Sequence, residues 1–114
     1  MTTILTWNIQ WGLGIDGRIH LKRIAKVARA MGDPDVLCLQ EIARHMPSID
    51  GAGADQVAEL AALFPGFTII FGPAVERTGQ GGPGAPREEF GNAILSRLPV
   101  VQVFRHPLPQ PADA

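Results

Sequence analysis

The sequence predicts an α/β fold that opens with a parallel strand–helix–strand unit, and three observations point there. Residues 3–9 are β-branched and aromatic, the composition of a strand. Residues 18–31 place Leu21, Ile24, Ala28 and Met31 at helical spacing, with Arg18, Lys22, Lys26 and Arg29 largely elsewhere, which predicts an amphipathic helix. The run Asp35-Val36-Leu37-Cys38-Leu39-Gln40-Glu41 is apolar on both faces at its centre, as expected for a strand covered on both sides. A crossover of this length joins parallel neighbours.

The remaining elements follow in order. Gly12, Gly14 and Gly17 end the first strand, and Asp16 is the expected cap of the first helix. Gly32 is placed to stop that helix and Pro34 to prevent its resumption. Residues 43–54 read as a loop containing Pro47, Gly51 and Gly53. Residues 55–64 read as a second helix with Val57, Leu60, Ala61 and Phe64 on one face, closed by Pro65-Gly66. Residues 67–71 form a third expected strand. Residues 72–89, rich in Gly and Pro, read as a surface hairpin, and they lack the Lys-Ser/Thr ending of a phosphate-binding loop. Residues 90–96 are a fourth strand. Leu98-Pro99 turns the chain and residues 100–104 are a fifth. The Pro-rich stretch 106–114 cannot continue a central strand.

The chain has 114 residues, the size of one small domain, and its 46% hydrophobic content supports a packed core. A net charge of -1 leaves no bulk basic charge for holding a long nucleic-acid backbone, and the basic face of the first helix reads as a solvated outer face. Cys38 is the single cysteine, so no intrachain disulfide forms, and its apolar setting predicts a buried structural thiol. No apolar run approaches the ~18 residues of a membrane span. The simplest expected setting is a reducing cytoplasm.

Two predicted strands end in polar groups, the first in Asn8 and the second in Gln40-Glu41. Ligands of open α/β sheets bind beyond the carboxyl ends of parallel strands, so neighbouring strands would bring Asn8 and Glu41 to one rim. An amide carbonyl and a carboxylate are hard oxygen donors, suited to Mg²⁺ or Mn²⁺. The same residue types also serve as a local turn former and a solvated strand end, and spacing by itself does not separate these readings.

Three stretches, Leu5-Thr6-Trp7-Asn8-Ile9-Gln10, Pro34-Asp35-Val36-Leu37-Cys38-Leu39-Gln40-Glu41 and Phe90-Gly91-Asn92-Ala93-Ile94-Leu95-Ser96-Arg97, together resemble the endonuclease/exonuclease/phosphatase superfamily. The resemblance runs from Ile4 to about Val103. It implies the N-terminal half of a DNase I-like four-layered α/β sandwich, a mixed sheet with outer helices. The partial domain would span 1–105 and the Pro-rich tail 106–114. It implies a divalent-metal-dependent phosphoesterase using Mg²⁺ or Mn²⁺. Glu41 would be the principal metal ligand, Asn8 a member of the metal-site network and Asn92 a residue near the active face. Arg44 and His45, close behind Glu41, are candidates for touching a substrate phosphate. The substrate would be a nucleic acid, a lipid headgroup or a small phosphate ester.

The family's general-base Asp and phosphate-orienting His motifs do not occur here. His20, His45 and His106 lack that context, so the chain alone is expected to be inactive. A different class stays open: a non-catalytic half-domain or interaction module whose exposed apolar sheet face associates with itself or a partner.

Overall fold

The computed structural model describes residues 1–46, 55–78 and 84–106. The expected loop residues Pro47, Gly51 and Gly53, most of the glycine run and the tail beyond His106 lie outside the described residues. The elements are β1 (Ile4–Asn8), a 3₁₀ turn (Gln10–Gly12), α1 (Leu21–Ala30), β2 (Val36–Arg44), α2 (Gln56–Leu63), β3 (Thr68–Arg77) and β4 (Glu88–Ser96). They build one four-stranded mixed sheet in the order β1-β2-β4-β3. β1 and β2 are parallel, Ile4 opposite Val36 and Asn8 opposite Gln40, as a strand–helix–strand crossover requires. β4 is antiparallel to both β2 and β3.

Both helices pack on one face of the sheet. Leu21, Ile24, Ala25 and Ala28 of α1, with Leu60 and the cap residue Phe64 of α2, meet Leu37, Leu39, Ile42, Ala93 and Leu95 in one buried core. Burying such side chains stabilises a fold by roughly 1.5–3 kcal/mol each before chain entropy is counted. The other face carries Thr6, Cys38, Ile94 and Ile70 in one cross-strand row. Ile4 and Ile94 are exposed there, and Cys38 is half-buried, not a core thiol. Val36 and Cys38, before the bulge, point away from the helices and are only partly buried, so the apolar centre of β2 is covered on one side only among the described residues.

Four further expectations change. Residues 100–104 form no ladder, because no neighbouring strand lies beside them among the described residues; Val101 is almost fully exposed. Asp16 does not cap α1, whose N-cap is His20 without a side-chain bond. It accepts from the Arg18 N–H at 3.0 Å and from Arg23 Nη1 at 2.7 Å, pinning the preceding turn to the helix. Met31 and Ala61, placed on the core stripes by their spacing, are exposed. The strand expected to end at Phe71 runs to Arg77, so much of the supposed hairpin is ladder between β3 and β4.

Candidate functional site

The β1–β2 ladder ends at the Asn8–Gln40 pair, and the Ile9 N–H still donates to the Gln40 carbonyl at 3.1 Å. Beyond that point β2 leaves its register with β4. Leu39 faces Ala93 and Ile42 faces Gly91, so two residues, Gln40 and Glu41, stand against Asn92 alone. That is a β-bulge, a device that re-aims a side chain and recurs beside active sites. Glu41 adopts a φ of 61°, a left-handed conformation that a non-glycine residue holds only at a cost of order 1–3 kcal/mol. Its Oε2 is sealed from solvent without a hydrogen-bond partner among the described residues. Native structures rarely leave a buried carboxylate oxygen unpartnered, so this one requires an explanation.

Asn8 is exposed beside the bulge, and its Oδ1 accepts the Gln10 N–H at 3.2 Å. Gln10 and Trp11 both take a φ of 46° as the chain turns off β1. Gln40 donates from Nε2 across to Thr6 Oγ1 of β1 at 3.2 Å and back to the Cys38 carbonyl of its own strand at 3.0 Å. Asn92 is exposed on β4 opposite the bulge, next to Gly91. A Cβ on Gly91 would meet the Gly72 carbonyl oxygen at 2.2 Å, so only glycine lets β3 approach β4 this closely. Asn8, Glu41 and Asn92 therefore stand at one level of three adjacent strands.

Arg44 closes β2. Its Nε and Nη2 donate to the two carboxylate oxygens of Asp55, both at 2.9 Å, and its Nη1 to Glu89 at 3.1 Å. Every guanidinium nitrogen thus already faces a carboxylate. The hydrogen bond from Arg44 to Asp55 holds the guanidinium above its ordinary pKa. Burial pushes the Asp55 carboxyl upward, but the hydrogen bonds from Arg44 and the Ala58 N–H, with the neighbouring charges, outweigh it and leave the pKa lowered. His45 follows half-buried at a φ of 53°.

Two residues at this end escaped the sequence reading. Gln56, 1% exposed, accepts the Ala43 N–H at 3.1 Å and donates to the Trp11 carbonyl at 2.9 Å. Its only sequence signal is a spacing of four from Leu60, which puts it on the buried stripe of α2. Glu88 is 3% exposed, and its Oε1 lies 4.0 Å from Arg77 Nη2 with no hydrogen-bond partner among the described residues. It opens β4 at the far side of the Arg44 cluster.

Among the described residues no group of three or more His, Cys, Asp and Glu side chains gathers to hold a metal. What the rim offers is one sealed carboxylate oxygen with amide oxygens beside it, a donor set that matches a hard cation keeping several waters and leaving room for phosphate. The open groove next to the rim, about 1150 Å³, is lined by Asn92, Ile94 and Ile70 on the sheet and by Phe104 and His106 beyond it. No described helix is long and apolar enough to cross a membrane.

The sequence model of the Endonuclease/Exonuclease/phosphatase family matches residues 5–114. An endonuclease/exonuclease/phosphatase from Beutenbergia cavernae superposes with a TM-score of 0.71 at 34% identity, over 90% of this chain and 27% of that one. An endonuclease/exonuclease/phosphatase family protein from Leptotrichia buccalis superposes with a TM-score of 0.53 at 16% identity, over 85% of this chain and 37% of that one. The second likeness concerns the fold alone. No curated protein matches the chain. The chain spans between a quarter and two fifths of the solved relatives' length.

Proposed function

Since this chain belongs to the Endonuclease/Exonuclease/phosphatase family, we propose that it carries the metal-anchoring side of a phosphoester hydrolase that uses Mg²⁺ or Mn²⁺. The observation that carries the reading is Glu41, with a sealed and unpartnered carboxylate oxygen on a left-handed bulge residue beside Asn8. A bound cation explains the missing partner, because a carboxylate is buried only when it is paired or coordinated. Glu41 supplies the anchoring charge and Asn8 a neutral oxygen nearby. Asn92, exposed on the next strand but one, offers an amide donor to a phosphate oxygen. A cation held by Glu41 and Asn8 would supply charge neutralisation and orientation for the phosphate that water attacks.

The substrate is a phosphoester of a nucleic acid, a lipid headgroup or a small molecule. Arg44 is engaged by its carboxylate partners in this reading, which leaves His45 as the candidate for reaching phosphate.

Titration with Mn²⁺, followed by electron paramagnetic resonance, tests the site. The chain should bind Mn²⁺, and Glu41→Gln should abolish binding with the fold intact by circular dichroism. Equal binding by both proteins would sink the reading. The chain alone should not hydrolyse bis(p-nitrophenyl) phosphate. Turnover that Glu41→Ala removes would show that the metal-anchoring side suffices.

The sheet face away from the helices favours a second reading, an interaction module. Its apolar row of Cys38, Ile94 and Ile70, with Ile4 beyond, would pair with the same face of a second copy. Elution as a monomer at every concentration would remove that reading.

A further inference from the structure

We infer that Gln56 is the positioning residue that holds the Glu41 and Asn8 segments in register with each other. The inference rests on the metal-site reading above and assigns how the site is kept in shape. The β1–β2 ladder stops at Asn8 and Gln40, and the bulge removes Gln40 and Glu41 from regular pairing with β4. The two segments that leave the ladder hold four of the five non-glycine residues with positive φ among the described residues: Gln10, Trp11, Glu41 and His45. Such conformations persist only where the surroundings over-determine them.

Gln56 spans the gap. Its Oε1 takes the N–H of Ala43, two residues past Glu41, and its Nε2 reaches the carbonyl of Trp11, three residues past Asn8. One side-chain amide thereby replaces the ladder rung missing between the segments. Glutamine is seldom fully buried, and at 1% exposure both its hydrogen-bonding ends are used.

The position of Gln56 is itself fixed. Asp55 caps α2 by accepting the Val57 and Ala58 N–H groups at 3.0 and 3.2 Å, and the same carboxylate is gripped by Arg44. The first turn of α2 is thus tied to the end of β2, which delivers the next side chain into the core between the two segments. Gln56 hydrogen-bonds to neither Glu41 nor Asn8 among the described residues, and acts through the backbone.

The test uses the 114-residue chain and Mn²⁺ as a paramagnetic probe in nitrogen–proton correlation spectra. In the wild type, Mn²⁺ should broaden the Glu41 amide and the Asn8 side-chain amide with one midpoint. Gln56→Met fills the same space without either hydrogen bond. It should raise the midpoint about ten-fold or more, the loss seen when a group supporting a metal ligand is removed. It should also separate the Asn8 response from that of Glu41, and the Ala43 amide should lose its protection from hydrogen exchange. Ile24→Val, a core change on α1, should leave the midpoint in place.

Gln56→Glu keeps the acceptor for Ala43 but sets a carboxylate against the Trp11 carbonyl. It should weaken the Asn8 response more than that of Glu41, and it provides the test if Gln56→Met does not fold. Unchanged midpoints and joint broadening in the folded Gln56 variant would overturn the inference while the metal site stands. A wild-type chain on which Mn²⁺ has no effect overturns the metal site and this inference with it.

Discussion

Both ends of β2 are locked by an arginine held between two carboxylates, and the two locks secure different things. At the amino end Arg97 joins Asp33 and Asp35, while Asp35 also accepts the Thr3 N–H at 2.8 Å. At the carboxyl end Arg44 joins Asp55 and Glu89. The first lock closes regular ladder, where β1, β2 and β4 pair residue by residue. The second surrounds a bulge, an unpartnered carboxylate oxygen and four of the five non-glycine residues with positive φ among the described residues. Arg44 and its partners are also the more buried set, with Glu89 at 16% exposure against 66% for Asp33. The amino end is built for stability, and the carboxyl end holds an arrangement that the backbone alone would not keep.

The largest expected effect lies between the two ends. Leu39 is fully buried at the last regular position before the bulge, and Leu39→Ala should cost about 2–5 kcal/mol in urea unfolding by transfer and cavity terms. Next comes Arg44→Met, expected to cost about 2 kcal/mol because two half-buried carboxylates lose charge-assisted hydrogen bonds. The matching Arg97→Met at the exposed end should cost clearly less, because water and salt screen its ion pairs. Equal losses at the two ends would erase the distinction between the locks.

The strained bulge sharpens the contrast. Glu41→Gly should leave the chain about 1–2 kcal/mol more stable than Glu41→Ala, since only glycine occupies a φ of 61° without steric cost. Both variants should lose Mn²⁺ binding. Equal thermal midpoints for the two would mean that the bulge carries no strain.

This contrast also separates what the sequence made legible from what it hid. At the amino end period-two and helical patterns are undisturbed, so β1, β2, β4 and the buried stripe of α1 were readable. At the carboxyl end the bulge buries Ile42 and Ala43 side by side, which breaks the alternation, and the expected strand therefore stopped at Glu41 three residues short. Asn8 and Glu41 stood out because polar residues ended apolar runs. Gln56 did not, since a glutamine after a helix cap looks like any solvated first-turn residue until α2 is seen packed on β2. The supposed strand at 100–104 had the right composition, but a strand also needs a neighbour.

Acid gives the smallest and most selective comparison. The Thr3 N–H and then Arg97 hold the Asp35 carboxyl below its usual value of 3.8. At the other end Asp55 is also lowered, against the opposing pull of its burial. A carboxyl whose pKa is lower in the folded chain than in the unfolded one stabilises the fold above the unfolded value. That contribution fades as pH falls below about 4 towards the folded value. Both locks should therefore loosen on the acid side of pH 4, with thermal midpoints falling there and level above about pH 5. Asp35→Asn should flatten part of this acid limb and leave Mn²⁺ binding at neutral pH unchanged, because Asp35 lies at the end of β2 remote from Glu41. Weakened Mn²⁺ binding in Asp35→Asn would mean that the amino end also shapes the site, and the division of labour along β2 would fail.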